Sequence, residues 1–194
     1  CNNLDALIWL ANLAALEIHI TLSKAESFEN PDMILFDLDP EPPASFTQVI
    51  DVALMLKEKL DALGLRSYPK TSGLKGLHIL VPIVEAYTHQ QTREFAHQIA
   101  KHLEKESELV TSEYSRARKP NTVRIDYRQN SHGRTMICPY SLRATPDATV
   151  STPLAWKDIN KQIRPEQLNL FSVVKIAESP WKDLLENRQR LKAN

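Results

Sequence analysis

Asp37 and Asp39 sit two residues apart in Phe36-Asp37-Leu38-Asp39-Pro40, directly after the apolar run Met33-Ile34-Leu35. Side chains alternate along a strand, so this spacing puts both carboxylates on one face of a sheet. At about 4 Å such charges repel by roughly 1 kcal/mol in water and roughly 4 kcal/mol near a protein surface. A divalent cation or a shared proton between them relieves the repulsion. The plainer arrangement has Asp37 capping a loop and Asp39 in an Asp-Pro turn.

A second candidate is Lys70-Thr71-Ser72-Gly73-Leu74-Lys75-Gly76-Leu77-His78, which holds two of the four glycines of the chain. Glycine allows backbone N–H groups to approach an anion, while Ser72 offers a hydroxyl and Lys75 a charge. This suits a phosphate-cradling loop, although Gly-Lys-Ser/Thr opening a helix is missing. A surface turn with an incidental lysine is the competing reading. Strand pleating places His78 near the loop mouth. Between Thr111 and Arg143 stand Arg116, Arg118, Lys119, Arg124, Arg128, Arg134 and Arg143 against Glu113 and Asp126 alone, a local excess of positive charge. Such an excess suits polyphosphate or nucleic acid. A solvated loop accounts equally for Arg116, Arg118 and Lys119.

The elements that must position these residues are legible from periodicity. Leu4 to Leu16 reads as a helix with Leu4, Leu7, Ile8, Ala11, Ala14 and Ala15 along one side, followed by an alternating stretch from Glu17 to Thr21. Ile34–Leu38 is a buried strand. Thr47–Leu63 is a helix with Val49, Val52, Ala53, Leu56, Leu60 and Leu63 inward, stopped by Gly64. Leu65–Pro69 and Leu77–Ile83 are extended, Gln90–Glu106 is a helix, and Thr122–Tyr127 is a strand. Asn130-Ser131-His132-Gly133 is expected to turn a hairpin into Thr135-Met136-Ile137.

From 34 to 127 the order is β-α-β-β-α-β, the ferredoxin-like arrangement also used by RNA-recognition (RRM) domains. The fold class is therefore α+β, an RRM-like palm with flanking helices. In that topology the first strand lies between the third and the fourth, so Asp37, Asp39, His78 and Asp126 converge on one sheet face. Three carboxylates suit hard cations such as Mg2+ or Mn2+.

Composition sets broad limits. The 194 residues, 42% hydrophobic and 25% charged, suit one globular domain, and zero net charge confines nucleic-acid binding to a local patch. Cys1 and Cys138 form no metal-binding CxxC and no disulfide framework, as in a reducing cytoplasm. Asp5, Asn12 and Glu17 break the apolar region Leu4–Ile20, which argues against a membrane partner. A chain that opens on Cys inside a helix is expected to be a fragment.

Seven segments together carry a family resemblance: Leu7–Asn12, Leu16–His19, Phe36–Pro40, Lys70–His78, Ile125–Asn130, Pro139–Ala144 and Val150–Trp156. In this order they resemble the polymerase domain of bacterial ligase D, in the archaeo-eukaryotic primase superfamily. The resemblance implies a primase-polymerase catalytic core that performs template-directed nucleotidyl transfer in bacterial non-homologous end joining, filling gaps and extending ends with two Mn2+ or Mg2+ ions. Carried over by position, Asp37, Asp39 and Asp126 are the metal-binding catalytic carboxylates. Ser72, Lys75, Gly76, His78 and Arg143 hold the triphosphate, Gln129 lies near the ribose, and His19 belongs to the same active site. DNA ends or gapped duplexes and nucleoside triphosphates are the implied partners, with a ligase domain and bacterial Ku beside them. The resemblance implies residues 1–194 as one domain, the C-terminal two-thirds of a larger one that lacks its N-terminal part. It comprises the palm at 34–127 and a helical tail at 157–194. Two other classes compete. A non-catalytic RRM-like nucleic-acid-binding module needs stacking aromatics where this chain has Asp and His. A metal-dependent nuclease suits the carboxylates but has no need of a triphosphate cradle.

Overall fold

The computed structural model describes residues 1–113, 119–176 and 178–191. Arg116 and Arg118 of the basic stretch lie outside the described residues. In chain order the elements are α1 (Leu4–Asn12), β1 (His19–Thr21), β2 (Met33–Pro40), α2 (Phe46–Ala62), β3 (Tyr68–Thr71) and β4 (Leu77–Pro82). They continue with α3 (His89–Glu106), β5 (Val110–Thr111), β6 (Val123–Asp126), β7 (Thr135–Ile137) and α4 (Leu170–Val173).

Parity along β2 organises the molecule. Ile34, Phe36 and Leu38 point to the layer of α2 and α3, where they pack with Val52, Leu56, Ile79, Ala96, Ile99 and Ile125. Each such buried side chain contributes roughly 1.5–3 kcal/mol relative to exposure. Leu35 points the other way, into a smaller cluster with Leu22, Tyr68, Leu80, Met136 and Trp181. Asp37 and Asp39 share the parity of Leu35. The five-stranded sheet runs β3-β4-β2-β6-β5, with β2 antiparallel to both β4 and β6, as the β-α-β-β-α-β order requires. Among the described strands only β5, unforeseen in the sequence, runs parallel to its neighbour.

The two long helices start on reciprocal caps. The Ser45 and Thr88 amides each donate to the Gln three residues on, at 2.8 Å in both cases. Gly64 follows α2 with φ +72°, the left-handed conformation that ends a helix. α1 is shorter than the periodicity suggested and buries none of its residues.

Two expectations need correction. Residues 130–133 do not turn a hairpin between β6 and β7. Instead Tyr127–Asn130 forms a 3-10 turn, and the buried Asn130 amide docks on β2, accepting from Leu35 N at 2.9 Å and donating to Leu35 O at 2.7 Å. These backbone groups lie beyond the reach of β6, which pairs only from Asp37 to Pro40. The chain thus leaves the sheet, and β7 pairs with β1 in a separate two-stranded sheet. Nor is 157–194 a helical tail. Among the described residues it holds single 3-10 turns at Trp156–Asp158 and Pro165–Gln167 and the four-residue α4. Pro165 and Pro180 break helical periodicity there, and the segment is anchored by Trp181 in the smaller core cluster and by Gln189 at the β4 edge.

Candidate active site

Strand register gathers the ionisable residues. Lys70 on β3 faces His78 on β4, His78 faces Asp37 on β2, and Asp37 faces Asp126 on β6. Four side chains thus form one rung across the sheet, on the face away from α2 and α3. Asp39 lies one step along, opposite Arg124.

The charges on this rung are strongly interdependent. His78 Nε2 lies 3.3 Å from Asp37 Oδ1 without hydrogen-bonding geometry, so that buried oxygen has no hydrogen-bond partner. Burial opposes ionisation of Asp37, but the adjoining His78, then Lys70 and Arg124, outweigh it and hold the carboxyl below its usual range. Burial and the Asp37 charge push Asp39 up to about 6, although Arg124 pairs with it at 2.8 Å. The same two causes raise Asp126, whose carboxylate accepts from Arg128 N at 3.0 Å. Asp37 and Asp126 therefore face each other at one end of the rung, with Asp39 one step along, at a mutual electrostatic cost.

A cavity of about 550 Å3 opens over this end. His19, Asp37, Asp39, Ser72, Lys75, His78, Gln129 and Arg143 all line it, whereas Asp126 and Gly76 do not. The Ser72 loop is built tightly. The Ser72 hydroxyl accepts from Leu74 N at 3.2 Å and Gly76 N at 3.1 Å, which closes the turn. A Cβ on Gly76 would meet Leu38 O at 2.4 Å, so glycine is needed there for the approach of the loop to β2. Gly73 has φ +75°, and a Cβ there would strike the Arg143 side chain at 2.5 Å. Arg143 thus lies directly over the loop. Lys75 is exposed at the loop tip.

Sequence reasoning missed several supports. Glu17 pairs with Arg143 at 3.2 Å and lies 3.3 Å from His19, and its other oxygen accepts from Ala144 N at 3.1 Å. That backbone hydrogen bond heads the causes that hold Glu17 below its usual range. It therefore fixes two of the expected site residues, and its place in Leu16-Glu17-Ile18-His19 was the available signal. Lys70, fully buried, donates to Ser151 Oγ at 2.5 Å. Arg124 counted only toward the basic excess, although its alternation with Asp126 places it beside Asp39.

The donor set matches a hard cation in kind: carboxylate oxygens on register neighbours, one of them buried without a hydrogen bond. Among the described residues, no three His, Cys, Asp or Glu side chains are already gathered closely enough to enclose an ion. Asp39 is turned to Arg124 instead. Among the described residues no helix is long and apolar enough to cross a membrane.

An RRM-like palm with acidic residues on its first and fourth strands, and a glycine loop before its third, defines the class of primase-polymerase cores. The profile of the family described as LigD, primase-polymerase domain, matches residues 1–185. The chain belongs to this family of nucleotidyltransferases. It is 34% identical over 194 residues to the bifunctional non-homologous end joining protein LigD of Bacillus subtilis, covering 97% of this chain and 32% of that protein. The multifunctional LigD of Pseudomonas aeruginosa is 30% identical over 97% of this chain and 23% of its own length. The chain thus spans about a third or less of these relatives. Among solved structures, the polymerase domain of Mycobacterium tuberculosis ligase D in complex with DNA superposes with a TM-score of 0.83 at 29% identity, covering 94% of this chain and 68% of that one.

Proposed function

We propose that this chain adds nucleotides to DNA ends and gaps under template direction, within bacterial non-homologous end joining. The observation that carries the reading is the single cavity onto which Asp37, Asp39 and the Ser72–His78 loop all open. Membership of the LigD primase-polymerase family and the likeness to a polymerase domain bound to DNA support it.

In the reaction the primer 3′-oxygen attacks the α-phosphorus of a nucleoside triphosphate, loses its proton, and displaces pyrophosphate. Positioning and charge neutralisation supply most of the catalysis in such transfers. Asp37, Asp39 and Asp126 would hold two Mn2+ or Mg2+ ions. When bound, these lower the pKa of the attacking hydroxyl and offset charge on the phosphates. Asp37 and Asp39, on one face of β2, would be the main carboxylates holding the ions, and Asp126 on the neighbouring strand would help hold the ion that activates the primer hydroxyl.

The protein's own groups bind and orient the triphosphate. Arg143, braced by Glu17, presents a guanidinium over Gly73, Lys75 brings an ammonium to the loop tip, and Ser72 offers its hydroxyl hydrogen. His78 sits between this loop and Asp37, where its ring donates to the triphosphate. His19, held by Glu17, and Gln129 border the same cavity on the side of β7 and the 3-10 turn, near the incoming sugar. Ku and a ligase domain are the protein partners that this reading implies.

Primer extension on a gapped duplex with Mn2+ and ribonucleotides or deoxynucleotides tests the reading. Wild type is expected to extend the primer. Asp37→Ala combined with Asp39→Ala is expected to lower extension at least a thousandfold while circular dichroism stays unchanged. Equal incorporation by a folded double variant would falsify the assignment.

A further inference from the structure

A second cavity, of about 540 Å3, lies against the other side of the Tyr127–Asn130 turn, and its lining is basic and polar. Arg93 and His97 reach it from α3, Tyr127 and Arg128 from the turn, and Arg134 from the approach to β7. Among the described residues Glu94 is the only acidic one in its wall. The two cavities share their dividing wall. Within the turn Gln129 faces the active-site cavity while Tyr127 and Arg128 face the second, and at the start of β7 Thr135 faces the first while Arg134 faces the second. The side chains on this wall are ordered by contact: the His97 and Tyr127 rings stack at 4.0 Å and 19°, and the Arg128 guanidinium lies 5.9 Å from the Tyr127 ring centre. Among the described residues neither Arg93 nor Arg134 forms an ion pair, although the protein as a whole carries as many acidic as basic residues. Burial and the nearby Lys101, Arg93 and Arg128 charges hold His97 below its usual range, so the positive field comes from the arginines.

Arg93 and Arg134, with no ion pair among the described residues, beside Arg128 on the wall of a polar cavity form an anion site, and its place decides which anion. Asp126, the carboxylate on the primer side of the proposed centre, ends β6, and the very next residues wall the second cavity. Resting on the polymerase reading, we infer that the Arg93–Arg128–Arg134 cavity binds backbone phosphates of the primer strand just upstream of its 3′ end.

The test is fluorescence anisotropy of a labelled duplex with a recessed 3′ end, in EDTA, across a series of salt concentrations. Arg93→Gln with Arg134→Gln is expected to flatten the dependence of log K on log[salt] by about 0.9 per lost phosphate contact. For two contacts the deficit of the variant then shrinks about tenfold between 50 and 200 mM salt. Methylphosphonate linkages near the primer 3′ end are expected to make wild type bind like the variant, while the same linkages in the template strand leave the difference intact. Glu94→Gln is expected to tighten binding, a change that a folding defect does not produce. An unchanged slope in the double variant, loss of the difference with template-strand methylphosphonates only, or displacement by inorganic phosphate beyond that by chloride of equal ionic strength would each overturn the proposal. The last outcome would make the cavity a free-anion site. Primer extension by wild type is scored separately. If it fails while the slope difference persists, the polymerase reading falls and the nucleic-acid site remains. If extension succeeds and the slope is unchanged, the reverse holds.

Discussion

Lys70 brings an ammonium group into a position with no solvent exposure, at one end of the rung that carries Asp37. Burial pushes it down to about 7, with Asp37 pulling the other way. Between about 7 and its free value of 10.5, the unfolded chain binds a proton that the folded one does not, so folding stability contributed by this residue rises with pH across that window and is lost as pH falls through 7. Lys70→Met removes that dependence. Urea unfolding at a series of pH values is expected to show the wild type gaining on the variant by on the order of 1–4 kcal/mol from pH 7 to 10.5. A difference that stays constant with pH would show that Lys70 titrates normally. The lysine was invisible as a buried group in the sequence because Lys70-Thr71-Ser72 reads as the polar start of a loop. Asp37 and Asp39, by contrast, were legible from parity alone, since an apolar strand leads directly into them. Glu17 escaped notice because its partners, Arg143 and Ala144, are distant in sequence.

At the scale of elements, the two-residue β5 depends on one side chain of α3. Glu104 accepts from Ser112 N at 3.1 Å, Thr111 Oγ1 at 3.3 Å, Ser112 Oγ at 2.9 Å and Lys101 Nζ at 2.9 Å. Burial works against its charge, but Lys101 and Ser112 outweigh it and bring Glu104 down to about 2. A depressed carboxyl contributes stability that is present above the free value of 4.5 and lost as pH falls through about 2. Glu104→Gln is expected to cost roughly 1.5–3 kcal/mol at pH 7 and progressively less below pH 4.5. Thermal unfolding at pH 7 and pH 3 compares the full contribution with a partly lost one, and equal losses at the two would contradict the charge argument. The palm elements were readable because each has its own hydrophobic period, 3.6 for α2 and α3 and 2 for the strands. What escaped reading were the pairings. β7 joins β1 across most of the chain, and β5 joins β6 in parallel, and no local period reports either. The rung itself depends on the length of the Ser72–Gly76 turn, which sets Lys70 opposite His78.

Across the whole molecule, charge balances to zero while apolar surface is unevenly placed. The sheet and its two helices hold the core, whereas α1 displays Leu4 at 68% exposure and Trp9 at 60%. A helix that buries nothing adds little to the folding free energy of this chain. Leu4→Ala with Trp9→Ala is expected to leave the unfolding free energy from urea titration within about 0.5 kcal/mol of wild type. The same change is expected to reduce binding of an apolar dye, which follows exposed hydrophobic area. A large loss of stability would show that α1 packs on the core in solution.

The parity of β2 has a further consequence for how this chain tolerates change. Ile34, Phe36 and Leu38 face the helices and Leu35, Asp37 and Asp39 face the cavity, so one inserted or deleted residue between Met33 and Asp37 would exchange the two sets. The carboxylates would enter the apolar layer, and Phe36 would stand against His78. Point substitutions along the strand degrade packing or charge one position at a time. A single-codon indel would dismantle both core and active site at once, so the eight residues of β2 tolerate substitution better than any change of length.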